Sequence, residues 1–413
     1  MSAGELIQPK TAVDSEPRVR GLLLLLLIAN STMLAVYMGA GSVLLPTQIA
    51  SIDPAHKVTI LGIIGGISSI FATAFNPIAG ALSDRSGKRN PWILGGAFVS
   101  FAGLIFLSTV RTALLLGIGW CLVQATMNTY QAAVTAIVPD RVALTRRGTA
   151  SALVGLALPV GGTLGVLIAS RTADSVSTGY LILGVMVASA AALLSFFVRD
   201  QPRQQTVPEV SRQAKIAAFL SALANHDFRW AFIGRALLVL GYFSVVGYQL
   251  YILDDHITLP KGMQPTDAMA ILTPASMVAM AVSTIVGGLL SDRWNRRKMF
   301  VGVSAALAGL VTVIPVVSPT WPGMLVFSIL NGLAFGCFMA VDTALVTMVL
   351  PKAEDAARDM GVLNIANAGP QIIAPFVASA IVTTMGGYGP LFLAGGALSL
   401  LGALAILPIR GVR

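Results

Sequence analysis

The amino-acid sequence predicts an all-α membrane protein in which twelve transmembrane helices form two pseudo-symmetric six-helix bundles. Three observations support this fold class. The chain of 413 residues is 55% hydrophobic and only 11% charged, whereas a soluble domain is about one-quarter charged. Its apolar residues fall in twelve long runs, and two motifs of the first six runs recur in the last six. Such a chain has too few charges to cover a water-facing surface.

The composition also excludes several classes of protein. The formal net charge is +9, but the basic residues lie in short groups between apolar runs, so no nucleic-acid partner is predicted. Cys121 and Cys337 lie inside apolar runs and the three histidines are scattered, so neither a disulfide framework nor a metal site is predicted. The sequence has no phosphate-binding G-x-x-x-x-G-K-(S/T) loop of an ATP-driven pump. We expect no cofactor and no enzymatic activity.

Each apolar run is long enough to cross a membrane, because about 20 helical residues span roughly 30 Å of hydrocarbon. The first run continues well beyond Leu22–Leu27 without a convincing cleavage site, which predicts an uncleaved anchor rather than a signal peptide. The predicted spans are 21–50, 58–83, 91–110, 112–138, 148–170, 178–198, 229–253, 268–290, 299–318, 321–350, 360–385 and 388–409.

The positions of lysine and arginine predict the orientation, because cytoplasmic loops are enriched in both. Of the 27 basic residues, four lie in the predicted outer loops and one lies within a span, which leaves 22 on the inner side. The four are Lys57, Arg111, Arg171 and Lys261, and the one within a span is Arg235. We therefore predict a multi-pass protein of the cell (cytoplasmic) membrane with both termini in the cytoplasm.

One long loop divides the chain into two units. Residues 1–198 form the predicted N-terminal bundle, and residues 229–413 form the C-terminal bundle. The cytoplasmic linker 199–228 is polar at first. Its second half, Lys215–Asn225, has apolar residues on one helical face, which predicts a short helix lying in the membrane interface.

Two internal repeats relate the two units. The segment Gly80–Arg89 (GALSDRSGKR) after the second span recurs after the eighth as Gly288–Arg297 (GLLSDRWNRR). The segment Met127–Pro139 at the end of the fourth span recurs at the end of the tenth as Met339–Pro351. The two offsets are 208 and 212 residues, so the second six-span unit repeats the first in register.

The first pair of repeats resembles the loop between helices two and three of the major facilitator superfamily, G-x-L-(S/A)-D-R-x-G-(R/K)-(R/K). The resemblance implies a secondary transporter that works by alternating access, and parallel six-helix halves are the known architecture of that superfamily. The second copy departs from the motif at Trp294-Asn295. The resemblance also implies a gating role for the charged residues of both loops, which are Asp84, Arg85, Arg89, Asp292, Arg293 and Arg297.

Two segments are similar to proton-coupled sucrose transporters and related sugar–cation symporters. Arg85–Trp92 resembles their R-x-G-R-R-x-P-(F/W) loop, and Gly361–Gln371 resembles their G-x-x-N-x-x-x-x-x-P-Q segment in helix eleven. Drug–proton antiporters of the same superfamily are the alternative, since Leu158–Gly162 partly matches their G-P-x-x-G-G signature. Their characteristic acidic residue in the first span and arginine in the fourth span are absent from this sequence.

The superfamily resemblance implies that spans one, four, seven and ten line a central cavity. Polar or aromatic residues lie at helical spacing on one face of each of these spans, and span eleven adds three amides. Such side chains serve either as hydrogen-bonded contacts between helices or as ligands for a neutral polyhydroxylated solute, because amides both donate and accept. The predicted substrate-binding residues are Asn30, Tyr37, Gln124, Asn128, Gln131, Tyr242, Gln249, Asn331, Asn364, Asn367 and Gln371.

Two charged residues are predicted inside the membrane, Arg235 in span seven and Asp342 in span ten. An ionised side chain at mid-bilayer costs about 3 kcal/mol on insertion scales, so such residues are usually paired or functional. Both lie at similar depth from the cytoplasmic side, which predicts an ion pair. Burial favours a neutral acid whereas a neighbouring arginine favours the carboxylate. The pair is therefore the predicted proton-coupling site, with a structural salt bridge as the alternative.

These observations predict proton-coupled import of a small neutral solute, with a sugar as the best single candidate. Proton-driven efflux of a drug or metabolite is the alternative. The expected partners are the small-molecule substrate, protons or another cation, and the lipid bilayer, and we expect a monomer. A receptor or a scaffold would need neither the repeated loops nor the polar faces.

Overall fold

The computed structural model describes residues 16–143, 146–200, 221, 223–348 and 356–410. Within these residues the chain is almost entirely helical, with twelve long helices. The first half contains α1 Gly21–Ile52, α2 Lys57–Ser86, α3 Asn90–Thr109, α4 Ala113–Arg141, α5 Ala150–Arg171 and α6 Val176–Phe197. The second half contains α7 His226–Val246, α8 Pro265–Trp294, α9 Arg297–Val317, α10 Trp321–Met348, α11 Ala356–Thr384 and α12 Tyr388–Ala405.

Eleven of these helices in the described part of the chain are long and apolar enough to cross a membrane. The other is α4, whose 29 residues exceed the length that a bilayer requires. Its apolar run is interrupted by Gln124, Asn128 and Gln131. Because α4 packs on α2 and α3, polar side chains on it find partners in protein rather than in lipid. The predicted fold of twelve helices is confirmed, with α4 as its more polar member.

The two halves have the same internal packing, as the sequence repeats predict. In the first half α4 packs on α2 and α3, and α6 packs on α1 and α3. In the second half α10 packs on α8 and α9, and α12 packs on α7 and α9. Each helix of one bundle therefore has a counterpart in the other, and the chain consists of two pseudo-symmetric six-helix bundles.

The centre of α1 departs from regular α-helical geometry, because Val36–Leu44 forms a π-helical segment. Such wider turns are rare and frequently lie at functional sites. Here α1 also approaches α5 closely: Gly39 lies against the backbone of Gly165, and Gly161 lies against the backbone of Ser31. A Cβ atom at any of these glycines would overlap the facing backbone, so only glycine allows this approach.

The bundle has two ends that differ in content. We call the end that contains the turn 53–56 and the segment 247–264 the latch end. The opposite end contains both repeated loops, and we call it the motif end. In the predicted orientation the latch end faces outward and the motif end faces the cytoplasm.

The two halves meet where α2 packs on α11 and where α5 packs on α8. The α2–α11 contact is tight towards the latch end, where a Cβ atom at Gly62 would overlap Ser379 and one at Gly66 would overlap the Phe376 ring. Further along α11 towards the motif end, a Cβ atom at Gly361 or Gly369 would meet nothing within 4 Å. The tightest packing between the halves therefore lies towards the latch end.

The connection between the halves is described only in part. The predicted interfacial helix at Lys215–Asn225 lies largely outside the described residues. α7 begins at His226, where the Asn225 side chain accepts a 3.0 Å hydrogen bond from the Phe228 N–H. The predicted span 229–253 is interrupted, because α7 ends at Val246 and the chain resumes as a short helix, Gln249–Asp255.

Candidate functional site

A small cavity lies between the two halves. Its volume is about 40 Å³, room for a few water molecules. The first half contributes residues of α1 and α5, and the second half contributes residues of α7, α8, α10 and the short helix after α7. A drug-sized ligand needs about 300 Å³ or more, so the cavity in this conformation is smaller than such a ligand.

The cavity wall is rich in methionine and contains two aromatic rings, those of Tyr242 and Phe327. The methionines are Met38, Met269, Met277 and Met324. The polar side chains of the wall are Ser42, Gln249, Thr273, Ser276, Ser328 and Asn331. Methionine side chains are flexible and polarisable, so they adapt to apolar surfaces of different shapes. A wall of this kind suits an amphipathic molecule with a few polar groups.

Three of the predicted substrate-binding residues line this cavity, and all three belong to the second half. The Tyr242 ring stacks on the Phe335 ring, with centroids 3.7 Å apart, which restricts the orientation of the tyrosine. Gln249 Nε2 donates a long hydrogen bond of 3.5 Å to Ser328 Oγ. Asn331 is buried in the wall. These three residues of the second half therefore lie at the cavity, and their role in substrate binding stays a prediction.

The predicted residues of α1 and α4 do not line this cavity. Asn128 Nδ2 donates to Tyr37 Oη at 3.0 Å and to the Gln124 carbonyl at 2.9 Å. Its Oδ1 accepts from Asn76 of α2 at 3.5 Å. Asn30 is buried and donates to a carbonyl of its own helix at 2.8 Å. These amides have partners on α1, α2 and α4, so in this conformation they join helices of the first half.

One buried acceptor of that network is free. Within the described residues, the buried Oε1 of Gln124 has no hydrogen-bond partner. An unpaired buried acceptor costs about 1–3 kcal/mol, so a donor from water or a ligand would be favourable at this position. Gln131, one and a half to two turns further along α4, is half-buried.

The three predicted amides of α11 also lie away from the cavity wall. Asn364 is exposed, and Asn367 and Gln371 are half-buried. Gln371 Nε2 donates to the Asn367 carbonyl at 3.1 Å, a bond within the helix. The reason for their position is that α11 packs on α2 and α7, whereas the cavity lies between α1, α5, α7, α8 and α10.

The two charged residues predicted inside the membrane form an ion pair. Arg235 Nε donates to Asp342 Oδ2 at 2.6 Å, and its Nη2 donates to Thr343 Oγ1 at 3.2 Å. The Arg235 and Asp342 side chains are only 8% and 3% exposed. On the same helices Leu238 and Phe338, three and four residues away, are fully buried. The pair joins α7 to α10, which also meet where the Tyr242 ring stacks on the Phe335 ring.

The first repeated loop is held by several ion pairs and hydrogen bonds. Arg89 binds Asp84 of its own loop, and its Nε donates to Asp140 Oδ2 at the end of α4 at 3.2 Å. The Asp200 carboxylate accepts the N–H groups of Arg89 at 2.8 Å and Asn90 at 3.1 Å. This carboxylate therefore lies at the positive end of the α3 dipole.

The second repeated loop has a simpler set of contacts. Arg297 Nη2 lies 2.7 Å from Asp292 Oδ1, and both belong to the loop itself. Arg293 is exposed, as is Arg85 at the corresponding position of the first loop. The predicted gating residues thus occupy equivalent positions at the motif end, and within the part of the chain that the structure describes the first loop has more partners.

Contacts at the latch end, which the sequence analysis missed, join the two halves. Lys57 at the start of α2 has its Nζ 2.7 Å from both Asp254 and Asp255, and its side chain is 14% exposed. The same Nζ lies 4.9 Å from the centre of the Tyr251 ring. Tyr388 donates to Asp255 at 2.8 Å. Charged residues at helix ends usually face solvent. The sequence therefore did not indicate that Lys57 pairs with Asp254, which lies 197 residues further along the chain.

Two tyrosines complete the contacts at this end. Tyr251 Oη donates to the Pro46 carbonyl of α1 at 2.8 Å. Tyr248 Oη lies 3.1 Å from the carbonyls of both Val58 and Pro375. We call Lys57, Tyr248, Tyr251, Asp254 and Asp255 the latch, because these residues tie the second half to the end of α1 and the start of α2.

Two repeated six-helix bundles, a small cavity between them and contacts that tie one end define a polytopic membrane transporter. The family model described as Major Facilitator Superfamily matches residues 23–260 and 251–412. The chain belongs to this superfamily.

The similarity extends to individual proteins. The chain is 25% identical over 332 residues to the MFS transporter asaE of Aspergillus flavus, covering 78% of this chain and 71% of that one. It is 23% identical over 312 residues to Multidrug resistance protein 2 of Bacillus subtilis, covering 70% of this chain and 74% of that one. A solved D-xylose-proton symporter has a TM-score of 0.69 at 17% identity, covering 96% and 98% of the two chains, which shows a common fold.

Proposed function

We propose that this transporter exports an amphipathic organic compound in exchange for protons, by alternating access of its two halves. The observation that carries the proposal is the cavity wall, where four methionines and two aromatic rings lie beside six side chains with amide or hydroxyl groups. A flexible wall of this kind can repack around different apolar surfaces. The similarity to Multidrug resistance protein 2 supports a substrate that leaves the cell.

Alternating access is supported by the different packing of the two ends. The latch and the α2–α11 contact close the latch end, and the cavity is too small for a ligand. Export in the predicted orientation requires that a substrate enters from the motif end. It leaves after the latch opens. The Lys57 ion pairs must therefore break once in every cycle.

Proton coupling is proposed for Asp342. Protonation removes the negative charge that Arg235 binds, and hydrogen bonds to a charged group are roughly twice as strong as neutral ones. A protonated Asp342 would therefore join α7 to α10 less strongly. Because both helices line the cavity, a proton on Asp342 and a substrate in the cavity would affect each other's binding.

Uptake of a sugar with protons is the second candidate. The amides of Gln249 and Asn331 in the cavity wall favour it, because each offers donors and acceptors to hydroxyl groups. The unpaired Oε1 of Gln124 on α4 lies outside the wall of this cavity, so it would accept from a sugar hydroxyl only in a conformation in which the cavity extends to α4. The two candidates thus depend on different residues, and this separates them experimentally.

The test is a thermal-shift screen of the purified full-length chain against sugars and amphipathic drugs. Binding stabilises a protein by about 2.7 kcal/mol at a ligand concentration of one hundred times Kd. The screen is repeated with Met324→Ala, which removes apolar cavity surface, and with Asn331→Ala, which removes an amide. Met385→Ala is the matched control, since Met385 is 63% exposed and lies outside the cavity.

We expect stabilisation by amphipathic compounds that Met324→Ala weakens and Met385→Ala leaves unchanged. Stabilisation by sugars alone, lost in Asn331→Ala, would contradict the proposal and support the second candidate.

A further inference from the structure

A larger depression lies on the outside of the second half, between the start of α9 and the end of α12. Its volume is about 670 Å³, and we call it the α9–α12 groove. Two basic residues, Arg296 and Lys298, line it at the motif end, and the other described lining residues are all apolar. Four of these are between 41% and 66% exposed. They are Met299, Val303, Leu404 and Leu407.

We propose that the α9–α12 groove binds an anionic phospholipid, with its phosphate at Arg296 and Lys298 and one acyl chain along α9. The exposed apolar side chains lie on membrane-spanning helices, so lipid is their natural contact. Arg296 to Ala306 spans ten residues, about 15 Å of helix, which is about half of the hydrocarbon thickness. The groove therefore matches the depth of one leaflet.

The charges of the groove are positioned for a phosphate. Lys298 Nζ donates to the Leu407 carbonyl at 2.8 Å and also to the Ile409 carbonyl, which holds it at the end of α12. An ammonium group has three donors, so two carbonyls leave one for a head group. Arg296 is exposed beside it. Basic pockets between transmembrane helices on the cytoplasmic side are suited to anionic head groups, and the predicted orientation places the motif end there.

The first half has a site that corresponds to the α9–α12 groove by the sequence repeat but carries a different charge. At the offset of 208 residues, Lys88 corresponds to Arg296 and Asn90 to Lys298. Asn90 Nδ2 donates to two carbonyls at the end of α6 at 2.9 and 3.1 Å, just as Lys298 does at the end of α12. However, the Asp200 carboxylate binds the N–H of Asn90. A protein carboxylate therefore occupies this position in the first half, whereas the described lining of the α9–α12 groove has two basic residues and no acidic one.

The charge requirement is tested by native mass spectrometry of the delipidated full-length protein. Phosphatidylglycerol or phosphatidylcholine is added, and the bound fraction is measured for each. We expect tighter binding of phosphatidylglycerol, and a loss of about fivefold in Arg296→Gln, the value of one basic residue near an anionic head group. Lys88→Gln is the matched control and should leave binding unchanged, because the Asp200 carboxylate binds the N–H of the neighbouring Arg89.

The groove itself is tested by filling it. A Cβ atom at Gly302 would meet nothing within 4 Å, so Gly302→Leu adds a side chain to the groove without a backbone clash. Gly95 of α3 has the same free space, and Gly95→Leu is the control in the first half. We expect only Gly302→Leu to lower phosphatidylglycerol binding.

Three results would overturn the proposal. The first is equal binding of the two lipids by the unmodified protein. The second is an equal effect of the Arg296 and Lys88 variants, or of the Gly302 and Gly95 variants. The third is competition by inorganic phosphate as strong as that of phosphatidylglycerol, which would show a phosphate site without a role for the acyl chain.

Discussion

The two halves join their first and fourth helices at the same place by different chemistry. In the first half, Tyr130 of α4 donates to the Ala29 carbonyl of α1 at 3.1 Å. In the second half, Asp342 of α10 stands at the repeat position of Tyr130, offset by 212 residues, and accepts from Arg235 of α7 at 2.6 Å. Both bridging side chains are buried. In the first half, a neutral hydrogen bond is enough to join the two helices. The buried Arg235–Asp342 pair of the second half is therefore not required for folding alone, which favours a role in transport.

In the two repeated loops, by contrast, different residues form the same backbone turn. α2 ends at Gly87 with φ 64°, and α8 ends at Asn295 with φ 50°. Their N–H groups donate to the carbonyls of Asp84 and Asp292 at 3.2 and 3.3 Å. Glycine adopts positive φ freely, and asparagine does so more readily than most other residues. The departure of the second loop from the superfamily motif therefore preserves the turn.

The comparison of the Tyr130–Ala29 hydrogen bond with the Arg235–Asp342 ion pair predicts the largest effect on transport for Asp342→Asn. We expect loss of transport against a gradient, because the site can no longer gain or lose a proton. Exchange of internal for external substrate should continue, since it needs no net proton movement. Arg235 is left buried without a counter-charge, which costs about 3–5 kcal/mol. The measurement is transport in proteoliposomes under an imposed pH gradient, normalised to folded protein by size-exclusion chromatography.

The control for this prediction is Tyr130→Phe, which removes the neutral bridge at a cost of about 1 kcal/mol and should leave coupling intact. Adding Arg235→Gln to Asp342→Asn should restore part of the stability without restoring coupling. Gradient-driven transport by Asp342→Asn would show that Asp342 is not the coupling carboxylate.

The latch offers a second test, since it pairs a residue of one half with charges of the other. Lys57→Gln removes two ion pairs of about 0.2–1 kcal/mol each, so we expect the population open at the latch end to rise by between about twofold and thirtyfold. A cysteine at Ser42 in the cavity wall, with Cys121 and Cys337 replaced by serine, reports this as faster labelling by an impermeant thiol reagent. Lys261→Gln, at an exposed lysine of the same end, should not change the rate.

The two gating loops are expected to respond unequally to the same substitution. Among the described residues, Asp84→Asn leaves Arg89 with Asp140, whereas Asp292→Asn leaves Arg297 with only the Met348 sulfur. We therefore expect both variants to slow transport and to keep substrate affinity, with the larger loss of rate in Asp292→Asn. Transport rates and equilibrium binding are measured side by side. Parallel loss of binding and transport in a folded variant would contradict a gating role.

The smallest effects are expected at the turn residues. Gly87→Asn copies the second loop and should change thermal stability little, and Asn295→Gly should be equally mild. Gly87→Val should cost about 1–2 kcal/mol, because a β-branched residue at positive φ is strained. The midpoint of thermal unfolding in detergent distinguishes these cases. Equal stability of Gly87→Val and Gly87→Asn would show that the turn tolerates any residue.

The sequence predicted the features that depend on composition and spacing along the chain. The twelve helices follow from the length of the apolar runs, and the two bundles follow from the repeats. The Arg235–Asp342 pair was predictable because two charges at similar depth in a bilayer have few other partners. The cavity residues Tyr242, Gln249 and Asn331 were found because helical spacing identifies the polar face of α7 and α10.

Other features depend on the rotation and distance of neighbouring helices, which spacing does not define. Asn128 lies on the polar face of α4 as predicted, but Tyr37 and Asn76 are close enough to bind it within the first half. The methionines of the cavity wall resemble any other apolar residues in the sequence. The latch joins Lys57 to Asp254 and Asp255, residues that look like solvated charges at helix ends.

The contact of α1 with α5 has a mechanical consequence. Where Gly39 meets Gly165 and Gly161 meets Ser31, backbone touches backbone, and no side-chain rotamer can change to absorb a displacement. Close-packed interiors have low compressibility and transmit strain. In the proposed alternating-access cycle, a displacement of α5 relative to α8 would carry α1 with it. The cavity residues Met38 and Ser42 of α1 would then move together with α5.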